Sequence, residues 1–277
     1  MENQENTITY IRPANTLLAI DPKEYWQARF MFSMLVRKKI KASFGEMHFW
    51  FIWACARPLM YALIFSLFKK WSEAKMGVTI PYVLYIYSGL ILWYYFVETS
   101  IDVSSNIRAN AGLVSKMYIP RLLTPTVPVV ANLIDLAISF VPLLLMMIYF
   151  DSYPGWNILM LIPTLIVVML TALGSGFIIA TITLRLRDFQ KVIEFVLYIG
   201  MFVSPVIFAP AMIPEVAQSI YHANPLVGSL LGWRSSLFSQ VQFPWLLWCY
   251  SLGFACVVFL VGLYLYRKYE HEMIEAI

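Results

Sequence analysis

The sequence contains few charged residues. Only 13% of its 277 residues are Asp, Glu, Lys or Arg, whereas 60% are hydrophobic. A soluble domain carries about 25% charged residues, so this chain has too little polar surface to cover a soluble fold of its length. The formal net charge of +4 does not indicate nucleic-acid binding. The composition therefore excludes a soluble protein and indicates that lipid surrounds most of the chain.

Cysteine, histidine and nucleotide-binding motifs are also scarce. The three cysteines lie in apolar segments without metal-ligand spacing, which favours a packing role. They are Cys55, Cys249 and Cys256. The three histidines are scattered, and the phosphate-loop pattern G-x-x-x-x-G-K-[ST] does not occur. The nearest glycine pair, Gly174 and Gly176, lacks the lysine, so we expect it to let helices approach closely. The sequence predicts no catalytic site, no metal site and no cofactor bound by this chain.

Six apolar segments are long enough to cross a membrane, because a transmembrane helix needs about 20 mostly apolar residues. They are residues 48–68, 81–101, 125–150, 156–183, 192–213 and 244–266. Their hydrophobicity is continuous rather than alternating, which is not the pattern of a membrane β-barrel. The sequence therefore predicts an all-α integral membrane protein with six transmembrane helices.

Lys and Arg are distributed unevenly between the two sides of the predicted membrane domain. Fifteen lie before the first span, in the second and fourth connections and in the tail, whereas four lie in the opposite connections. Positively charged residues concentrate on the cytoplasmic side, so both termini are predicted to be cytoplasmic. We therefore divide the chain into a cytoplasmic N-terminal segment, 1–47, and a membrane domain with a short cytoplasmic tail, 48–277. The first 24 residues lack the apolar run of a cleavable signal peptide.

Residues 23–44 have the pattern of an amphipathic helix. Tyr25, Ala28, Phe32, Leu35 and Val36 fall on one helical face, and basic residues fall on another. We predict that this helix lies along the cytoplasmic membrane surface, where anionic headgroups attract its basic cluster. The alternative is a basic flank that only determines topology.

The connection between the fifth and sixth spans is unusually apolar for an extracellular loop. Asn224 and Pro225 divide it into two segments, 214–223 and 226–238, each too short to cross the membrane. We predict two short re-entrant or half-helices between these spans. A covered extracellular cap is the alternative.

Several charged residues lie within the predicted spans, where charges are costly and usually face protein or water. Glu98 and Asp102 share a helix face, and Arg57, Asp135 and Glu194 lie in other spans. One interpretation is structural pairing, for instance of Arg57 with a carboxylate. The other is a proton pathway, which would make the chain a proton-coupled secondary transporter or drug exporter. A membrane-bound lipid or sugar transferase would require a catalytic Asp/His/Arg cluster at one interface, which the sequence lacks.

Aromatic residues make up 16% of the chain and are frequent in the first two spans. Most are expected to form interfacial belts or to pack against other helices. An aromatic face can also stack on a sugar ring and so line a path for a glycan. Our candidates for such channel aromatics are Tyr61, Tyr85, Tyr87, Trp93, Tyr94 and Tyr198.

Four stretches of the chain resemble the membrane (permease) subunit of type-2 ABC exporters, in the branch that moves O-antigen polysaccharide or teichoic acid. They are LVRKKIKASFGEMHFWFIWACARPLMYALIF (35–65), NIRANAGLVSKMYIPRLLTPTVPVVANLIDL (106–136), LRLRDFQKVIEFVLYIGMFVSPVIF (184–208) and NPLVGSLLGWRSSLF (224–238). The likeness runs from about residue 21 to the C-terminus. The order NxxLxxKxYxPR, RD…SPVIF and NP…R is typical of that branch.

The resemblance implies that ATP and Mg bind to a separate ATPase partner and that this chain is a transport subunit rather than an enzyme. It implies that cytoplasmic turns and the N-terminal helix contact that ATPase. The expected coupling residues are Lys38, Lys41, Arg185, Arg187 and Asp188. It also implies a gate helix that continues from the second span to the cytoplasmic mouth. The expected gate residues are Asn106, Lys116, Tyr118, Pro120 and Arg121.

The expected substrate is a lipid-linked (polyprenyl-diphosphate) polysaccharide such as O-antigen, or teichoic acid, carried across the bacterial cytoplasmic (inner) membrane. Six helices in one bundle leave little room for a glycan chain, so a path requires helices from two copies around a shared axis. The expected assembly is a homodimer with two ABC ATPase subunits, in contact with membrane lipids and without nucleic acid.

Overall fold

The computed structural model describes residues 26–46, 50–67, 80–110, 120, 122–184, 188–213, 218, 221 and 223–275. In these ranges the regular elements are all helices, which confirms the all-α prediction for the described part of the chain. The α-helices are α1 Arg29–Glu46, α2 Trp50–Ser66, α3 Tyr82–Ala109, α4 Leu123–Ala131, α5 Leu133–Tyr149, α6 Leu161–Ile182, α7 Phe189–Val203, α8 Leu226–Leu237 and α9 Trp245–Glu275. Two short 3₁₀ turns accompany them, Trp156–Met160 before α6 and Pro210–Met212 after α7.

Three segments among the described residues are long and apolar enough to cross a membrane. They are Leu123–Tyr149, Trp156–Ile182 and Trp245–Glu270. The predicted spans 125–150, 156–183 and 244–266 therefore correspond to apolar helices of crossing length. The helix at Phe51–Ser66 is apolar but shorter. The total of six spans stays a prediction.

The predicted fifth span is wrong in its second half. The helix α7 has 15 residues and ends at Val203, whereas the sequence predicted a span that continued to residue 213. Ser204 is extended, with φ −97° and ψ 160°, because the proline that follows disfavours a helical conformation at this position. Past this break, α8 forms a 12-residue helix where a half-helix was predicted. Most of the other predicted half-helix, 214–223, lies outside the described residues.

The side chain of Arg234 in α8 links this break to α3 through hydrogen bonds. Its side chain is 1% exposed, and its guanidinium donates to the carbonyl oxygens of Tyr85 at 3.1 Å, of Val206 at 2.8 Å, and of Pro205. The guanidinium carbon also lies 3.5 Å from the centroid of the Tyr85 ring. Backbone carbonyls freed by a helix break need donors inside a membrane protein, and Arg234 supplies them at this break.

The central element is α3. Its residues from Tyr82 to Val97 are buried almost without interruption, and it contacts α2, α4, α5, α6, α7 and α8. A helix that is apolar on every side is expected in the interior of a bundle. Because α3 continues to Ala109, its second half carries polar residues from the core towards the end that α1 approaches.

The glycines of α6 allow close helix packing, as the sequence predicted. A β-carbon on Gly174 would lie 2.6 Å from the backbone nitrogen of Phe259 in α9. A β-carbon on Gly176 would lie 2.5 Å from Val103 in α3. The backbone of α6 therefore touches α9 on one side and α3 on the other.

The N-terminal helix α1 rests on α4 with the apolar face that its pattern predicted. Leu35 is buried against Leu123 and Val127, and Phe32 and Val36 pack around this contact. This face therefore meets protein rather than lipid. Other large apolar side chains stay exposed, namely Phe30 and Met34 on α1 and Trp26 just before it. The placement of α1 at the membrane surface stays a prediction.

Candidate functional site

A charged cavity lies at the junction of α1, α2, α3, α5 and α7. Its volume is about 480 Å³. Two basic and four acidic side chains line it, namely Lys39, Arg57, Glu98, Asp102, Asp135 and Glu194. Four aromatic side chains complete the wall, namely Trp53, Tyr94, Tyr95 and Tyr198. The cavity thus gathers all the charged residues of the predicted spans that the sequence singled out.

Arg57 and Glu98 form an ion pair between α2 and α3. About a third of each side chain is exposed, 34% for Arg57 and 32% for Glu98, so the pair lies in an open wall rather than in the packed core. The guanidinium also lies 5.5 Å from the centroid of the Tyr94 ring, within reach of a cation–π interaction. The structural-pairing interpretation of Arg57 is therefore confirmed.

Asp102 receives two donors on one oxygen. Its Oδ2 atom is 2.8 Å from Nζ of Lys39 in α1 and accepts a hydrogen bond of 3.0 Å from Nδ2 of Asn132. Asn132 also contacts Oγ1 of Thr99 at 3.3 Å and separates α4 from α5. Three elements therefore meet at one carboxylate.

The two remaining carboxylates have fewer contacts. The Oδ1 atom of Asp135 is buried and has no hydrogen-bond partner. Glu194 accepts a hydrogen bond of 3.1 Å from Gln190, one turn earlier in α7. With two cations and four carboxylates, the cavity wall carries an excess of negative charge if all groups are ionised.

The structure brings together three of the six candidate channel aromatics. Tyr94 has its ring centroid 6.4 Å from that of Tyr61 and 6.5 Å from that of Tyr198. Tyr61 is 39% exposed and Tyr198 is 37% exposed, whereas Tyr94 between them is buried, so two of the three rings present surface outside the core. A role for these rings in a glycan path stays a prediction.

The other three candidate aromatics are buried in the core of this chain. Tyr85 lies under Arg234, the Tyr87 hydroxyl donates to the Ser139 carbonyl at 2.9 Å, and Trp93 packs against Phe96. In this arrangement all three rings are covered by neighbouring helices rather than facing an open path. Spacing along α3 could not separate them from Tyr94, because the first half of α3 has apolar or aromatic residues on every side.

The predicted ATPase-coupling residues that the structure describes lie on the surface. Lys38 is exposed and donates to Oδ1 of Asn110 at 3.2 Å, while Lys41 and Asp188 are also exposed. Arg185 and Arg187 lie outside the described residues. Their contact with an ATPase stays a prediction.

Two of the predicted gate residues are described. Asn106 is 6% exposed and donates to the Thr124 carbonyl at 3.0 Å, so it ties the end of α3 to the start of α4. Pro120 is buried just before α4. The remaining gate candidates, Lys116, Tyr118 and Arg121, lie outside the described residues.

The sequence interpretation missed Lys39 and Asn132 as members of the site. Lys39 belongs to a basic cluster that was assigned to headgroups, and Asn132 carries no charge that would have marked it. The helix-breaking signal nearby, Pro128 four residues before Asn132, could have identified a bend at this position.

Comparison with known proteins agrees with this architecture. The family described as "ABC-2 type transporter" matches residues 31–238, which is most of the chain. The chain belongs to the ABC-2 type transporter family. It is therefore a membrane subunit of a transporter rather than an enzyme.

Relatives of this ABC-2 chain carry names from polysaccharide export. It is 25% identical over 252 residues to an O-antigen export system permease protein RfbA of Klebsiella pneumoniae. This match covers 89% of this chain and 95% of the relative. It is 26% identical over 225 residues to the protein of that name in Myxococcus xanthus, with coverage of 80% and 85%. It is 22% identical over 263 residues to a capsule polysaccharide export inner-membrane protein, CtrC, of Neisseria meningitidis, with coverage of 90% and 97%.

Proposed function

We propose that this chain is the permease subunit of an ATP-driven exporter that moves a lipid-linked polysaccharide of the O-antigen or capsule type across the bacterial inner membrane. The observation that carries the proposal is the likeness to O-antigen permeases over 89% of this chain and 95% of the relative. Teichoic acid is the other polymer that the sequence resemblance implies. The chain crosses the membrane six times, with both termini in the cytoplasm.

The position of the cavity supports a homodimer. Its walls include α2 and α7, and both helices present large apolar side chains outside the core, such as Phe51, Leu63, Phe195 and Val196. Lipid can cover those side chains, but it cannot solvate the partly exposed Arg57–Glu98 pair between them. A second copy of the chain, placed against this side, provides a polar path bounded by both protomers.

The aromatic trio fits the chemistry of a glycan. Sugars have apolar faces and polar edges. The cavity offers the rings of Tyr94 and Tyr198 beside charged groups that accept and donate hydrogen bonds, and Tyr61 lies next to Tyr94. Ring stacking contributes about 0.5–1.5 kcal/mol in aromatic pairs. Contacts of that order guide a moving chain without holding it.

ATP hydrolysis belongs to two partner ATPase subunits that bind ATP and Mg. They contact Lys38, Lys41, Arg185, Arg187 and Asp188 on the cytoplasmic side, and their movement reaches the bundle as a rigid-body shift. Family membership favours this mechanism over proton-coupled transport. In addition, Glu98 is paired with Arg57, and Asp102 contacts Lys39 and Asn132, so neither carboxylate is free to carry protons.

The test is genetic and biochemical. Deletion of the gene should abolish the surface polysaccharide of the host, and the wild-type gene should restore it. An ATPase should co-purify with the membrane subunit. A Walker-A lysine substitution in that ATPase should abolish export. Export that persists without ATP hydrolysis and follows a pH gradient would establish the proton-coupled alternative instead.

A further inference from the structure

Within the described residues, the N-terminal helix α1 is attached to the bundle by an apolar contact, an ion pair and a hydrogen bond from Lys38 to Asn110. The apolar contact consists of Leu35 against Leu123 and Val127. The charged contact is the Lys39–Asp102 ion pair at 2.8 Å, with 30% and 29% of the side chains exposed. Reduced access to water makes such a pair stronger than a fully exposed one. Lys39 thus differs from Lys38 and Lys41, which lie on the exposed side of α1.

The charged contact lies where the bundle itself changes direction. The same Asp102 oxygen accepts the amide of Asn132 at 3.0 Å, and Asn132 stands between α4 and α5. A displacement of α1 that moves Lys39 therefore acts on α3 and on the α4–α5 junction together. One turn earlier along α3, Glu98 pairs with Arg57 of α2, so the cavity wall is continuous with this joint.

The packing around the joint leaves space for movement. A second cavity of about 180 Å³ lies between α1 and the end of α3, beside the polar contacts that join them, with Lys38, Ser105 and Asn110 among its walls. A helix that borders a cavity on one side can shift into that space without breaking a packed core. The ion pair then determines whether the bundle follows that shift.

We propose that Lys39, through Asp102, is the positioning residue that couples movement of α1 to the transmembrane bundle. The proposal rests on the proposed function, in which ATPase subunits move α1. Lys38 and Lys41 face the ATPase, whereas Lys39 faces inward and passes the movement to the cavity. Without the pair, ATP hydrolysis continues but export does not follow.

Charge exchange tests the proposal in a strain that carries the gene only on a plasmid, with the membrane subunit purified together with its ATPase. Lys39→Asp and Asp102→Lys should each lower export about tenfold, within the range typical of coupling between sites, while assembly and ATP hydrolysis stay within about twofold of wild type. The double variant Lys39→Asp/Asp102→Lys should recover about half of wild-type export, because the pair is restored with reversed polarity. Lys39→Arg should also export.

The matched control is Arg29→Asp, which makes the same charge change on α1. Arg29 is exposed, and its described contacts are with Trp26 in the same helical segment, so export should be unchanged. Wild-type export in Lys39→Asp would overturn the proposal. A double variant no better than the single variants would also overturn it, as would export that falls only in proportion to the amount of assembled complex. Failure of the wild-type plasmid to restore the polysaccharide would instead reject the proposed function.

Discussion

Arg234 is a buried cation whose partners are backbone carbonyls and an aromatic ring rather than a carboxylate. The arrangement depends on a glycine, because a β-carbon on Gly89 would overlap the guanidinium group. Arg234→Ala removes the donor of the Pro205 and Val206 carbonyls, at a cost of about 1–3 kcal/mol each, whereas the Tyr85 carbonyl keeps the Ser88 hydroxyl at 3.0 Å. The variant should therefore have a lower thermal unfolding midpoint in detergent than the wild type. Arg234→Lys should be intermediate, because an ammonium group cannot reach all three acceptors.

The Gly89→Ala variant gives the control for this prediction. It should destabilise the wild-type protein by about 1–3 kcal/mol through overpacking. In the Arg234→Ala background the added methyl meets space rather than the guanidinium, so the penalty should largely disappear. Equal penalties in both backgrounds would show that the two residues do not share the site.

The Arg57–Glu98 pair predicts a second non-additive result. Arg57→Ala leaves Glu98 unpaired in a partly exposed wall, so the expected loss lies between the ~1 kcal/mol of exposed pairs and the ~3–5 kcal/mol of buried ones. The double variant Arg57→Ala/Glu98→Ala should lose less stability than the sum of the two single variants. Thermal unfolding in detergent measures the cycle, and strict additivity would contradict the pairing.

Sequence patterns could predict that such a pair exists but could not select its members. The four-residue spacing of Glu98 and Asp102 places both on one face of α3, yet Arg57 takes Glu98 and Lys39 takes Asp102. That choice depends on how α1 and α2 are rotated against α3, and rotation follows from packing rather than from spacing. For the same reason Lys39 was assigned to the membrane surface with its neighbours.

At the scale of elements, the crossing of α6 and α9 leaves no room for larger side chains at its glycines. The α-carbon of Gly174 lies against the α9 backbone near Phe259, and a β-carbon on Gly262 would meet the Gly174 carbonyl oxygen. Gly174→Ala should therefore push two helix backbones apart at a cost of about 1–3 kcal/mol or more. Unfolding midpoint and dimer content in detergent would record the loss.

Gly253 of α9 provides the matched control, because a β-carbon there would meet nothing within 4 Å. Gly253→Ala should leave stability unchanged or raise it slightly, since alanine favours a helix over glycine by about 1 kcal/mol. If both glycine substitutions had the same effect, close packing of α6 on α9 would not explain the first.

Helices with long apolar runs were predicted well, and irregular segments were not. Continuous hydrophobicity is sufficient to predict α5, α6 and α9, because a membrane satisfies their outward faces. The end of α7 at Val203 was missed because the residues that follow are as apolar as a span, and Ala209 and Val206 are buried by protein. Hydrophobicity reports burial and does not distinguish a helix from a turn covered by neighbours.

For the whole molecule, the charge distribution predicts a definite topology. In a background without cysteine, Tyr153→Cys in the connection between α5 and α6 should react with a membrane-impermeant maleimide from outside intact cells, since Tyr153 is 54% exposed. Lys41→Cys on α1 should react only after permeabilisation. Labelling of both sites from the same side would contradict cytoplasmic termini with six spans.

The helix α7 is shorter than the hydrocarbon layer is thick. At 1.5 Å per residue its 15 residues extend about 22 Å, whereas the acyl-chain region measures about 30 Å. If α7 crosses the membrane as proposed, we expect the bilayer to thin wherever lipid covers this helix, at a cost of a fraction of a kcal/mol for each ångström of mismatch. An amphiphile with a bulky polar head would then meet a narrower apolar barrier at this flank than in undisturbed membrane.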